Sequence, residues 1–240
     1  MKWDRTRGRP EPIAALNRVT ERENGEPMVN ILKVAPKVRV FRETTIPYVR
    51  KSVAQMLKRA AASLPRGVYL SVTEAWRPLK RQQLIYEFMT KSLLEVKPNL
   101  TYPALRRKLN RWVAPVDQKT PPGHCTGAAV DVNLVDRHDK PLDTTSPFER
   151  FESAPTFALG LSDEAQANRM LLHDTMIDAG FSNCRDEWWH YSYGDAAWAV
   201  RTGRDECCYG LVDLPKTLFA AQEKLWVRER KKRANPFKEG

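Results

Sequence analysis

The sequence predicts a single α+β domain, because stretches with a helical period alternate with short apolar strands. Residues 68–73 alternate between apolar and more polar side chains, as a strand does, and the runs AAVDVNLV and WWHYSY also predict strands. The chain has 240 residues, 42% of them hydrophobic, with no internal repeat and no long linker. This is enough for one full-sized core. Helices are predicted over residues 49–64, 79–95, 101–113 and 162–180.

Breakers and caps set the limits of these elements. Residues 29–41 hold two short apolar runs on either side of Pro36, which predict a strand pair or hairpin. Ser162 is a suitable N-cap for the last of the predicted helices, and Gly180 is suited to end it. Residues 136–160 are rich in turn signals and predict a loop.

Both chain ends differ in composition from the rest. Residues 1–28 are polar and proline-bearing, which indicates a segment on the surface. Residues 214–240 predict a basic helical tail, in which RERKKR is the densest run of charge. The folded domain is therefore expected within residues 29–213.

Charge and hydropathy limit the possible partners and location. The net charge of +11 is spread along the chain without a nucleic-acid motif, so nucleic-acid binding is not expected. No stretch reaches the ~18–20 apolar residues of a membrane span. The amino terminus lacks the apolar run of a secretory signal, which predicts a cytoplasmic protein; an exported one stays open if the start is incomplete. The four cysteines form no CxxC pair and are expected to be reduced, structural thiols.

Two short motifs supply the side chains of a metal site. His124 and Asp131 lie in GHCTGAAVDV, and Glu187 and His190 lie in DEWWHY. Two imidazole nitrogens and one carboxylate oxygen suit zinc and leave a fourth position for water, although manganese, cobalt or nickel accept similar ligands. Glu187 is then available as the general base that takes a proton from this water.

The spacing within each motif requires a turn. His124 and Asp131 are seven residues apart, so a continuous strand places their side chains on opposite faces. Gly127 lies between them and can adopt the backbone angles of a turn. Glu187 and His190, three residues apart, can likewise meet only through a turn or bulge. The other two histidines, His138 and His173, are interpreted as surface or core-edge residues.

The ordered motifs resemble the D-alanyl-D-alanine dipeptidases of vancomycin-resistance systems. These zinc peptidases are related to the bacterial D,D-carboxypeptidases and the hedgehog signalling domain. Their pattern SxHxxGxAxD is matched from His124 to Asp131, ExWH is matched at Glu187–His190, and an aromatic-Arg-Pro element is matched by Trp76-Arg77-Pro78. The resemblance spans roughly residues 29–212 and implies a central antiparallel sheet with flanking helices.

The resemblance also implies roles for individual residues. One zinc ion per chain is expected on His124, Asp131 and His190, with Glu187 as general base. Arg77 is expected to stabilise the oxyanion of the tetrahedral intermediate, the alternative being an ordinary ion pair at the strand end. The family's acid for the substrate amine corresponds to Glu149, which could equally be a surface acid in a loop.

The expected reaction is zinc-dependent hydrolysis of D-Ala-D-Ala or a similar D-amino-acid dipeptide. One departure concerns the substrate pocket, because Pro122 replaces the serine that opens the family's first motif. A carboxypeptidase or endopeptidase acting on longer peptidoglycan peptides is an alternative, as is a non-catalytic, zinc-stabilised binding domain. The sequence leaves the oligomeric state open.

Overall fold

The computed structural model describes residues 8–145 and 154–238, which contain nine strands and eight α-helices. The strands are β1 (Thr20–Glu21), β2 (Met28–Asn30), β3 (Arg39–Val40), β4 (Tyr48–Arg50), β5 (Tyr69–Glu74), β6 (Ala129–Val135), β7 (Ser182–Asn183), β8 (His190–Ser192) and β9 (Glu206–Cys207). The helices are α1 (Ile13–Leu16), α2 (Ile31–Val34), α3 (Lys51–Ser63), α4 (Leu79–Val96), α5 (Tyr102–Leu109), α6 (Asp163–Asp178), α7 (Ala196–Thr202) and α8 (Ala220–Arg230).

A five-stranded sheet with the order β3-β5-β6-β8-β7 forms the centre of the fold. Its pairings are antiparallel except at one edge, where β3 runs parallel to β5. The expectation of a single α+β domain, with a central antiparallel sheet and flanking helices, is therefore confirmed. The parallel edge pair is an addition to it.

The main core lies between this sheet and helices α3 and α6. Helix α3 buries Val53, Met56, Leu57 and Ala60, the face that its helical period predicts. Helix α6 adds Leu172 and Met176, and the central strands β5 and β6 bury their apolar side chains against both helices. Burying each large aliphatic side chain contributes about 1.5–3 kcal/mol, so this face of α3 is a main source of stability.

The hairpin predicted over residues 29–41 is wrong. Strand β2 pairs with β4, and β3 pairs with β5 instead of returning onto β2. The run ILKV forms helix α2, because the side chain of Asn30 caps it by accepting a hydrogen bond from the Leu32 N–H. The local pattern resembled a strand, but the cap and a nonlocal partner for β2 determined the fold.

The strand predicted from WWHYSY is shorter than expected. Strand β8 covers only His190–Ser192, and Trp188 and Trp189 lie in the turn that precedes it. Both tryptophans are nevertheless buried in the main core. The turn matters for the site, because it lies between Glu187 and His190.

The buried Arg50, at the end of β4, joins several separate segments. Its guanidinium donates to the carbonyls of Thr126 (2.8 Å), Glu26 (2.8 Å) and Gly210 (3.2 Å), and pairs with the Glu23 carboxylate at 2.9 Å. Its backbone N–H also donates to the Gly127 carbonyl at 2.9 Å. Arg50 thereby fixes the turn after His124 against both ends of the chain.

Replacing Arg50 by alanine should therefore lower the free energy of unfolding by about 3 kcal/mol, because buried carbonyls lose a charged donor. Denaturant unfolding measures the change. The matched control is Arg22→Ala, which removes an exposed arginine from an ion pair with Glu206 and should change the free energy by less than about 1 kcal/mol. Equal losses in the two variants would contradict the bridging role of Arg50.

Candidate metal centre

Three side chains from the two predicted motifs converge at one end of the central sheet. The register of β6 and β8 places Asp131 directly opposite His190. The Asp131 Oδ1 atom lies 2.9 Å from His190 Nδ1 and 3.3 Å from His124 Nε2. All three donor atoms lie within 4.8 Å of one another. They form a compact set of two nitrogens and one oxygen.

His124 reaches this set from a 3-10 turn, Gly123–Thr126, that precedes β6. The turn ends at Gly127, whose φ of +73° is the left-handed conformation that glycine adopts without strain. The turn required by the spacing of His124 and Asp131 is therefore present at Gly127. The close approach of Met28 to Gly127 leaves no room for a side chain there.

Two hydrogen bonds fix the His124 ring and its backbone to the end of β5. His124 Nδ1 lies 2.9 Å from the Ala75 carbonyl, which can only accept, so Nδ1 carries the proton. The Arg77 N–H donates to the His124 carbonyl at 3.1 Å. The other ring nitrogen, Nε2, faces Asp131, and a backbone carbonyl bound to the far ring nitrogen is typical of a metal-binding histidine.

The donor chemistry of this set fits a divalent zinc ion. Imidazole nitrogen and carboxylate oxygen are both zinc ligands, and three protein ligands are the number found in catalytic sites. In residues 8–145 and 154–238, this is the group of histidine, cysteine and acidic side chains whose positions allow a metal ion to be held. Cys125 is not a member, and burial raises the pKa of its thiol to about 12.

The charges in the site favour the protonation states that metal binding requires. Burial alone would raise the pKa of Asp131, but the two imidazoles beside it hold that pKa well below its usual value. Burial also lowers the pKa of His190, although its hydrogen bond to Asp131 opposes this shift. The result is an ionised aspartate next to a neutral histidine.

Glu187 lies beside these three residues, at the start of the turn before β8. Its carboxylate oxygen Oε2 is 3.9 Å from His190 Nδ1. The His190 N–H donates to the Glu187 carbonyl at 3.2 Å, which closes the turn that the spacing required. Burial raises the pKa of Glu187 well above its usual value, and the charge of Asp131 adds to this effect, while Arg77 opposes it.

Arg77 follows β5 and is held by two side chains. Its Nη1 donates to Gln82 Oε1 at 2.6 Å, and its Nη2 lies 3.3 Å from Glu74 Oε2. Burial would lower the pKa of Arg77, but Glu74 and Asp131 raise it. Arg77 thus forms an ion pair at the strand end, which is the alternative to its expected catalytic role. Its charge also interacts with that of Asp131.

Two neighbours of Arg77 were not recognised in the sequence. Glu74 ends β5 at a bulge opposite Asp131, and Gln82 lies in the first turn of α4, where its amide also donates to the Ala114 carbonyl at 2.7 Å. Their distances of three and five residues from Arg77 carry no motif, so only the fold relates them to it. Glu149 lies outside the described residues.

Pro122 immediately precedes the 3-10 turn that carries His124. The Pro122 carbonyl accepts the Cys125 N–H at 2.8 Å. The next residue, Gly123, is tightly packed, because a Cβ there would lie 2.4 Å from Asp195 Oδ2. The segment where the family has its serine is therefore a close-packed turn in this chain.

The similarity of this chain to known proteins agrees with the site. The family model described as D-Ala-D-Ala dipeptidase, of peptidase family M15, matches residues 35–206. The chain belongs to this family. It is therefore a metallopeptidase, and the non-catalytic alternative does not hold.

Two curated relatives have the same description. A D-alanyl-D-alanine dipeptidase of Synechocystis sp. is 28% identical over 182 residues, covering 64% of this chain and 72% of the relative. A D-alanyl-D-alanine dipeptidase of Escherichia coli K12 is 26% identical over 149 residues, covering 62% and 67%.

Two solved structures are also similar to the chain. One is a vancomycin-resistance D,D-pentapeptidase in complex with Zn(II), with a TM-score of 0.40, 18% identity, and coverage of 85% of this chain and 94% of that chain. The other is VanYB in complex with D-Alanine-D-Alanine, with a TM-score of 0.41, 17% identity, and coverage of 85% and 92%.

Among the helices of the described residues, none combines the length and the apolar character that crossing a membrane requires.

Replacing Gly127 by alanine should destabilise the protein by more than the strain of its positive φ alone. The matched control is Gly67→Ala, because Gly67 also has a positive φ (+90°) but open space around it. The control should lose about 1 kcal/mol, whereas Gly127→Ala should lose a further ~0.5–1 kcal/mol, because the end of the flexible Met28 side chain must move aside.

Denaturant unfolding of both variants measures these changes, and adding Met28→Ala should restore part of the loss at Gly127. Equal destabilisation of Gly127→Ala and Gly67→Ala would show that the contact with Met28 is unimportant.

Proposed function

We propose that this metallopeptidase hydrolyses the peptide bond of D-Ala-D-Ala or a similar D-amino-acid dipeptide, with zinc held by His124, Asp131 and His190. The observation that carries the proposal is the convergence of these three donor atoms within 4.8 Å, beside a carboxylate whose pKa is raised. Membership of the dipeptidase family supports the substrate class.

The three ligands have complementary roles toward the ion. Asp131 supplies the one negative charge, and the two neutral imidazoles leave the site with a net positive charge of about one. The hydrogen bond from His124 Nδ1 to the Ala75 carbonyl orients the ring so that Nε2 faces Asp131 and would be available to hold zinc. Zinc bound there supplies Lewis-acid chemistry, which activates water and polarises a carbonyl.

Glu187 is the general base of the proposed reaction. Its Oε2 atom accepts a proton from the attacking water and then transfers it to the nitrogen of the leaving amine. A carboxylate with an ordinary pKa is a weak base, so the raised pKa of Glu187 favours this transfer. The turn between Glu187 and His190 keeps the base next to the ligands.

Arg77 is the electrostatic stabiliser of the tetrahedral intermediate. Its guanidinium is buried, is always charged and is held from two sides by Glu74 and Gln82. A donor held in this way needs little reorganisation when negative charge develops on the carbonyl oxygen. Glu149 is the proposed partner of the substrate's free amino group, on the basis of the family resemblance.

A dipeptidase should require the free amino group of its substrate. We expect the metal-loaded protein to release alanine from D-Ala-D-Ala, and to cleave the N-acetylated dipeptide at least about tenfold more slowly because the charged amine is lost. The panel also includes L,L- and L,D-dipeptides and a tripeptide that ends in D-Ala-D-Ala. Chelation should abolish hydrolysis, and added Zn²⁺ should restore it.

The same panel distinguishes the alternative substrate class. Faster cleavage of the N-acetylated or longer peptides would instead indicate a carboxypeptidase or endopeptidase. Failure to release alanine from any D,D-dipeptide would refute the proposed substrate.

Replacing Glu187 by glutamine should lower kcat at least about 100-fold, because the variant cannot accept the proton. Zinc content, measured by atomic absorption, should be unchanged, because Glu187 is not a proposed ligand. In the wild type, kcat/KM should fall as the pH falls through the pKa of Glu187, because the protonated carboxyl group cannot accept a proton from water. Full activity in Glu187→Gln would exclude its role as general base.

A further inference from the structure

A series of side chains with alternating charge connects Arg77 to the C-terminal helix α8. Glu74 lies between two arginines, with Oε2 at 3.3 Å from Arg77 Nη2 and Oε1 at 3.9 Å from Arg81 Nη1. Arg81 in turn donates from Nη2 and Nε to Glu223 Oε2, at 2.8 Å and 3.1 Å. The order is thus Arg77, Glu74, Arg81 and Glu223.

Arg81 lies between the two acidic members of this series of charges, Glu74 and Glu223. Its side chain is 1% exposed, so its charge needs a close partner. Glu223 supplies that partner, and the Thr44 carbonyl accepts a further hydrogen bond at 3.0 Å. Glu74 therefore lies closer to Arg77 than to Arg81, whose nearer acid is Glu223.

The helix that carries Glu223 is packed directly beneath the strand end that presents Arg77. Phe219, just before α8, meets the ring of Trp76 edge-on at 5.1 Å, and Trp226 of α8 is buried with Arg81 over its ring at 5.0 Å. Trp76 Nε1 also donates to the Val212 carbonyl at 3.0 Å. All these C-terminal groups lie beyond residue 206, where the family match ends.

We propose that Glu223 is a positioning residue for Arg77, acting through Arg81 and Glu74. Without the Glu223 carboxylate, Glu74 is the acid among the described residues that remains within ion-pair distance of Arg81, so it moves toward Arg81 and away from Arg77. Arg77 then keeps Gln82 but loses its ion pair, and its guanidinium is no longer held from two sides. This inference rests on the proposed role of Arg77 in the reaction.

The test compares Glu223→Gln with Glu164→Gln, the same change at an exposed position of α6. Glu223→Gln should lower kcat for D-Ala-D-Ala about tenfold and leave KM within about twofold, because the interaction is made in the transition state. Glu164→Gln should leave both constants unchanged. Thermal unfolding of both variants checks that they are folded at the assay temperature.

A double-mutant cycle separates positioning from general destabilisation. In the background of Arg77→Ala, Glu223→Gln should have no further effect on kcat, since the two residues act as one unit. An undiminished tenfold loss in that background would overturn the proposal, as would an unchanged kcat in Glu223→Gln alone.

A readout without catalysis keeps this inference separate from the proposed function. In protein labelled with ¹⁵N-arginine, the Nε–H signal of Arg77 is assigned by its absence from Arg77→Ala. Glu223→Gln should shift or broaden this signal and Glu164→Gln should not; an unshifted signal in Glu223→Gln overturns the positioning role. If the wild type released no alanine while the signal still responded, the proposed function would fail and the positioning of Arg77 would stand.

Discussion

The site depends on one buried carboxylate, that of Asp131, held between two imidazoles. Taking an ionised carboxylate out of water is unfavourable unless positive charge or hydrogen-bond donors replace the lost hydration. Neutral histidines meet this need only in part, because the hydrogen bond from His190 Nδ1 supplies a donor but no positive charge. A divalent cation among the three groups would supply that charge, which is why this arrangement suits a metal.

The precision of that arrangement comes from backbone hydrogen bonds between segments far apart in sequence. The register of β6 and β8 sets Asp131 against His190, and the end of β5 exchanges two hydrogen bonds with His124. Arg50 fixes the same turn from the other side. Strand ends and the buried cation of Arg50 therefore hold the side chains of the site in position.

Elements with a strong period were predictable from the sequence, and those that depend on distant partners were not. Helix α3 and strands β5 and β6 follow directly from their apolar patterns, and the glycine turn between His124 and Asp131 follows from their spacing. The hairpin failed because β2 pairs with β4, which no local pattern reveals. The same reason explains why the sequence did not predict roles for Glu74, Gln82 and Glu223. Only the fold brings Glu223 to Arg81, 142 residues away.

Two acids in one small site have environments that separate their pKa values. The imidazoles keep the pKa of Asp131 low, whereas burial and the nearby charge of Asp131 raise that of Glu187. Such a separation agrees with the proposed roles, because a metal ligand must stay ionised and a proton carrier must be able to take up a proton near working pH. The charge of Arg77 limits the shift at Glu187. Under the proposed function, the placement of Arg77 therefore bears on the base as well as on the oxyanion.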